Sequence, residues 1–340
     1  MDFERKTISE LMGMKSPGGR WGIEVELEGR GITARIPEGW VPHNEGSLRN
    51  GGVEYVLPHP LDFGAALDGC LTSLQQTMTR EGVNLDYESY RTSTHVHVNM
   101  VNETVETVLR FITLYTVVDS FLVSVVGRYR DGNVFCMNMG DTGEIHLGIE
   151  QFIKAAKTGN AAGVIVRGKY ASLNMSALWR FGSLECRVFP MSVDPIEIKK
   201  WLQWLQNILN FAKASEPLLN YINNAISRPE TIRLAIFGNT LHPKGDELIR
   251  QGAFQAYEAW AVIQEEIAKE GRKKTKAEIK ISKWTQEEPQ VLNIPDVQEA
   301  MRMWALPRDP QAPVPDLDFN RAIQELRAAQ PPRRRRNPPV

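Results

Sequence analysis

Arg20-Trp21-Gly22-Ile23-Glu24-Val25-Glu26-Leu27-Glu28 is the stretch from which the rest of the chain is read. Side chains alternate along a strand, so Trp21, Ile23, Val25 and Leu27 share one face and Glu24, Glu26 and Glu28 share the other. Carboxylates on that face stand about 7 Å apart and repel unless water or a cation lies between them. Taken alone, the segment reads as the wetted outer side of a half-buried sheet.

The pattern recurs three times. Val53-Glu54-Tyr55-Val56-Leu57 is closed by Pro58. Thr94-His95-Val96-His97-Val98-Asn99-Met100 puts His95, His97 and Asn99 opposite an apolar face. In Ser183-Leu184-Glu185-Cys186-Arg187-Val188-Phe189-Pro190, Leu184, Cys186 and Val188 face the core, and Glu185 and Arg187 face away. Four such strands can assemble a concave sheet lined with Glu, His and Arg. Hard oxygen ligands suit magnesium or manganese, and imidazole tolerates manganese. The planar fork of arginine suits phosphate or carboxylate. A carboxylate-rich set without cysteine argues against structural zinc.

These segments resemble a family. Gly22-Ile23-Glu24-Val25-Glu26 is similar to the Gly-x-Glu-x-Glu opening of the glutamine synthetase and glutamate–cysteine ligase superfamily. Residues 94–99 resemble its His-x-His strand, and residues 184–190 its Glu-x-Arg-x-Phe-Pro strand. Order and spacing resemble the amidoligase branch, often found in phages and bacterial gene clusters. In that branch an Asp-Gly-Ser turn precedes a Gly-x-Glu strand and a proline. Here the turn is Glu45-Gly46-Ser47, followed by Gly52-Val53-Glu54 and Pro58. Lys169, Tyr170 and Asn174 match a further part of the pattern. Glu45 departs from it, standing where the branch has Asp.

The resemblance spans residues 20–210 and implies a glutamine synthetase-like α+β fold: a mostly antiparallel sheet with a concave face for metal and ATP, and helices on the other face. It implies an ATP-dependent ligase that joins a carboxylate to an amine, on small-molecule or peptide substrates, through an acyl phosphate. Glu24, Glu26, Glu54, His95 and Glu185 would hold Mg2+ or Mn2+. His97, Asn99, Arg128 and Lys169 would contact ATP or an acidic substrate, and Arg187, with Glu54, would carry the catalytic role. Arg128 also reads as the complement of a helix dipole, Lys169 as a turn lysine, and Glu28 as a third ligand or a solvated carboxylate. A phosphotransferase on the same fold, and a non-catalytic phage or accessory protein that binds nucleic acid or a protein partner, remain open.

Bulk properties agree with a cytoplasmic enzyme. The chain has 340 residues, enough for a full core, and a net charge of -1, so it is no general magnet for nucleic acid. Its three cysteines, Cys70, Cys136 and Cys186, lack metal spacing and predict no disulfide scaffold. No apolar signal region opens the sequence. The most apolar stretch, 105–126, is interrupted by Glu106, Arg110 and Asp119 and predicts a core-packed helix, not a membrane span.

Helices are further expected over 62–80, 143–157, 195–224 and 245–269, with Trp201 and Trp204 in the core. Strands are expected at 164–166 and 170–174. The expected division is a catalytic domain over 1–225, a helical extension over 226–306, and a proline-rich linker, short helix and basic disordered tail over 307–340. The run Arg333-Arg334-Arg335-Arg336 predicts either a solubilising end or docking to an acidic partner or nucleic acid.

Overall fold

A computed structural model of the chain describes residues 2–32, 36–49, 51–127, 130, 133, 136–141, 144–159 and 170–269. The expected strand at 164–166, the candidates Arg128 and Lys169, and everything from 270 onward lie outside the described residues.

The acid-bearing strand β1 (Trp21–Leu27) lies inside a six-stranded sheet. A two-residue ribbon, β2 (Gly29–Arg30) with β5 (Asn84–Leu85), stands apart from it. The sheet order is β3 (Val41–His43), β4 (Val53–Val56), β1, β6 (Ser93–Asn99), β8 (Ser183–Pro190), β7 (Leu173–Asn174). Every neighbouring pair is antiparallel. The protein is therefore α+β with a mostly antiparallel sheet.

Period-2 alternation carries the core. Trp21, Ile23, Val25 and Leu27 are fully buried, as are Val96, Val98, Leu184, Cys186 and Val188. Each large apolar side chain so covered contributes about 1.5–3 kcal/mol. Near its end, β8 departs from simple alternation. Thr94 pairs with Phe189 but Val96 pairs with Cys186, so Arg187 and Val188 together stand against His95. This bulge turns Phe189 inward as well, where its ring stacks on Trp201 at 4.8 Å.

Nine α-helices are present among the described residues. They are α1 (Ile8–Met12), α2 (Ala65–Met78), α3 (Val105–Val126), α4 (Glu144–Thr158), α5 (Ala177–Phe181), α6 (Pro195–Lys213), α7 (Leu218–Ser227), α8 (Pro229–Phe237) and α9 (Gly245–Ala268). Helix α3 packs against β8 on one side and α6, α7 and α9 on others. It is long and apolar enough to cross a membrane, yet 83% of its most apolar window is buried inside the protein. Its N-cap Thr104 accepts the Thr107 N–H at 3.1 Å.

The polar interruptions of α3 are spent on neighbours. Arg110 donates to the carbonyls of Ala212, Ala214 and Glu216 at 2.7, 2.9 and 2.6 Å, closing the C-terminus of α6 with a cation. Asp119 accepts the Met139 N–H at 2.7 Å and the Ser172 hydroxyl.

The helix expected over 195–224 is two helices. The chain leaves α6 at Ala214 in extended conformation, and Pro217 restricts the residue before it before α7 begins. The expected boundary at 225/226 falls within α7, and α8 and α9 pack on α3, α6 and α7 as part of one compact unit.

Replacing Arg110 with Met is expected to leave Ala212 O buried without its side-chain donor and to cost about 1–3 kcal/mol, read as a lower urea midpoint at unchanged slope.

Candidate functional site

The register of the sheet decides which side chains meet. Glu26 stands opposite Glu54, and Glu24 opposite His95. His97 stands between Gly22 on β1 and Glu185 on β8. Gly22 makes this approach possible, because a Cβ there would lie 3.1 Å from His97 Cβ. A methyl at this position would push on the imidazole.

Four strands thereby bring carboxylates and imidazoles together on one face. Glu24 bridges both histidines: its Oε1 is 3.1 Å from His97 Nε2 and its Oε2 is 3.3 Å from His95 Nδ1. His95 Nδ1 also lies 3.5 Å from Glu185 Oε1, and its Nε2 lies 3.7 Å from Glu26 Oε2. Candidate ligand atoms of Glu24, His97 and Glu185 lie within 4.8 Å of one another, as do those of Glu24, Glu54 and His95. Arg187 donates from Nη1 to Glu185. Its Nε–H is buried and has no partner among the described residues.

Neutral groups orient this cluster. The Ser93 hydroxyl bonds both Glu26 and, at 2.7 Å, His95 Nε2. The Ser183 hydroxyl is 3.0 Å from His97 Nδ1. Asn174, opposite Glu185 on the edge strand β7, donates to it at 2.6 Å. Phe181, exposed at the end of α5, meets the His97 ring edge-on at 5.9 Å.

The electrostatics follow from who neighbours whom. Burial raises the Glu24 carboxyl, but hydrogen bonds and charge from His95 and His97 outweigh it and hold Glu24 well below the usual carboxylate range. Glu185 is likewise raised by burial and lowered further by His95, Arg187 and His97. Burial disfavours the charged form of His97, yet the bond from Glu24 and the charges of Glu24 and Glu185 leave it raised. Glu54 has no such cation. Burial, then the charges of Glu24, Glu26, Glu45 and Glu185, push it up to about 8.

Two residues near the acidic face have partners of their own. Glu28 is neither a free ligand nor solvated. It is buried, and its oxygens accept the Arg49 N–H at 2.5 Å and the Ser89 hydroxyl at 2.7 Å, tying two loops to the end of β1. Asn99 shares the face of His95 and His97, but its amide donates to the carbonyls of Gly18 and Gly19, and its oxygen accepts the Val101 N–H. Both amide hydrogens of Asn99 are therefore committed to the backbone. Ser93, Ser183 and the exposed His43, which pairs with Glu54 on β3, were not singled out from sequence. For His43 the only available signal was a short Val-Pro-His run.

No family model matches the chain, and no curated protein sequence matches it.

Glu54 makes stability depend on pH. An ordinary Glu ionises near 4.5, whereas folded Glu54 keeps its proton to about 8, so folding takes up a proton between these values. The contribution of Glu54 is complete below 4.5 and is lost as pH rises through 8. Glu54→Gln, a mimic of the protonated form, is expected to melt within about 1 °C of the wild type at pH 4.5 and about 3–6 °C above it at pH 8.5, a figure reduced for solvent screening at this half-buried site. Equal melting shifts at both pH values would show that Glu54 ionises normally.

Proposed function

We propose that the protein is an ATP-dependent carboxylate–amine ligase of glutamine synthetase-like fold. One observation carries the reading: carboxylates and imidazoles from four strands converge, with candidate ligand atoms within 4.8 Å of one another, beside a buried arginine that has an unpartnered Nε–H.

The donor set fits a hard divalent cation, Mg2+ or Mn2+, because it is carboxylate-rich, contains imidazole and lacks thiolate. Glu24, Glu54, His95 and Glu185 would hold it, with Glu26 beside them. When bound, such a cation neutralises triphosphate charge and polarises the transferred phosphoryl group. The chain's own residues do the remainder. Arg187 directs a guanidinium at phosphoryl oxygens, and His97, fixed by Ser183 and Glu24, lies next to it. The face they occupy is largely removed from water, which a reactive acyl phosphate requires.

The γ-phosphoryl group passes from ATP to the substrate carboxylate, releasing ADP. The amine nitrogen then attacks the acyl carbon, the bond to the phosphate oxygen breaks, and inorganic phosphate and a proton leave. The substrates are an amine and a carboxylate of small-molecule or peptide type.

Phosphate release from ATP and magnesium, measured with pooled amino acids and peptides, tests the activity. Stimulation by an amine is the expected result. Nucleotide and metal binding without turnover would favour the non-catalytic reading. Glu26→Gln is expected to weaken Mn2+ binding about tenfold in calorimetry while raising the melting temperature, since like-charge repulsion is relieved. Arg187→Lys keeps the charge but loses the fork, so turnover should fall about a hundredfold. ATP affinity should change by less than about fivefold, since the contact strengthens in the transition state. Equal losses in turnover and affinity would make Arg187 a ground-state binding residue.

A further inference from the structure

Arg130 is among the most buried large side chains of the protein, at 2% exposure, and its guanidinium makes no ion pair among the described residues. Its partners are three carbonyl oxygens, with the Cys136 thiol also in contact with it. Nε donates to Val188 at 3.1 Å, Nη2 to Arg187, and Nη1 to Thr92 at 3.5 Å. Arg187 and Val188 are the two residues of the β8 bulge that stand against His95.

In a regular strand, consecutive carbonyls point to opposite neighbours. Here two consecutive ones converge on the Nε–Nη2 edge of one guanidinium, a geometry only the bulge allows. The opposite edge of the strand is held too, as the Arg187 N–H donates to Ser172 O at 2.8 Å.

The bulge reconciles two demands on β8. Arg187 must face the carboxylates, where it bonds Glu185, and Phe189 must face α6, where it stacks on Trp201. Two residues apart on a regular strand, they would share a face. A one-residue slip of either segment would send one of them to the wrong side.

We infer that Arg130 is a positioning residue: by clamping the bulge carbonyls it fixes the direction from which Arg187 enters the site. The inference rests on the reading of Arg187 as the group that meets the transferred phosphoryl.

The test uses the full chain with Arg130→Lys and Arg130→Gln. The Arg187 Nε–H resonance is followed in spectra of protein carrying nitrogen-15 arginine and is assigned by its loss in Arg187→Lys. In Arg130→Lys this resonance should move or broaden, while melting falls by no more than about 5 °C. Turnover should drop about tenfold to a hundredfold at an ATP KM within about threefold of wild type. The double variant Arg130→Lys/Arg187→Lys should be no slower than Arg187→Lys alone, because both act through one guanidinium.

An unmoved Arg187 resonance, additive losses, or failure of both Arg130 variants to fold would overturn the inference and leave Arg130 a core residue only. A wild type that releases no phosphate would defeat the ligase reading separately, and the spectra would still decide the role of Arg130.

Discussion

Like-charge repulsion on one sheet face is the constraint around which the rest of this structure is arranged. Glu26 and Glu54 stand directly opposite each other, Glu24 is two residues along, and Glu185 lies two strands away. Like charges in such register cost roughly 0.2–1 kcal/mol per pair. Strand β6 resolves the problem by its place in the order. Between acidic β1 and β8 it inserts His95 and His97, each opposite a carboxylate. Glu54 lies on the far side of β1 from β6 and gains no such partner. It is the carboxyl that keeps its proton to about 8, while Glu24 and Glu185 are held ionised.

Orientation of the cluster is a separate matter from its charge, and neutral donors supply it. Ser93, Ser183 and Asn174 each reach a functional group from a strand whose backbone is locked in the ladder. Rigid strands hold geometry better than loops do. The loops around the site are in turn tied down. Glu28 joins the 45–49 and 86–92 turns, Arg91 donates to Ser47 O at 2.9 Å, and Asn133 donates to Tyr90 O at 2.8 Å. Arg130 extends the same network behind β8.

How much of this was legible in the sequence depends on whether the signal is local. Alternation of period 2 marks both faces of β1, β4, β6 and most of β8 within a few residues, and α3 shows its apolar character directly. The convergence of Glu24, Glu54, His95 and Glu185 on one face followed from that parity once the strands were paired. Edge strands β3 and β7 have three and two residues, too few for a pattern, so His43 was not singled out. Asn99 and Glu28 look like site residues by spacing. Asn99 is committed to backbone groups 80 positions away and Glu28 to groups 21 and 61 positions away, which no local window reports. The bulge of β8 was illegible for the same reason. Its cause lies in the competing claims of the acidic face and of Trp201, and its support in an arginine 57 positions upstream.

The arrangement also bears on how a cation and a nucleotide would be accepted. Carboxylates that must be gathered at the moment of binding cost ordering free energy and mutual repulsion, both of which weaken affinity. Here the two imidazoles and Arg187 already hold Glu24 and Glu185 close together, so under the proposed reading a cation would meet carboxylates already gathered. Because the bond of Arg187 to Glu185 uses Nη1 and its Nε–H has no partner among the described residues, the guanidinium keeps N–H donors that could meet an anion without that pair being broken. A phosphate that enters beside a cation would then add negative charge where a guanidinium is already fixed in place. Under the proposed reading, the groups that let the sheet tolerate its acidic face are therefore the same ones that prepare it for phosphoryl transfer.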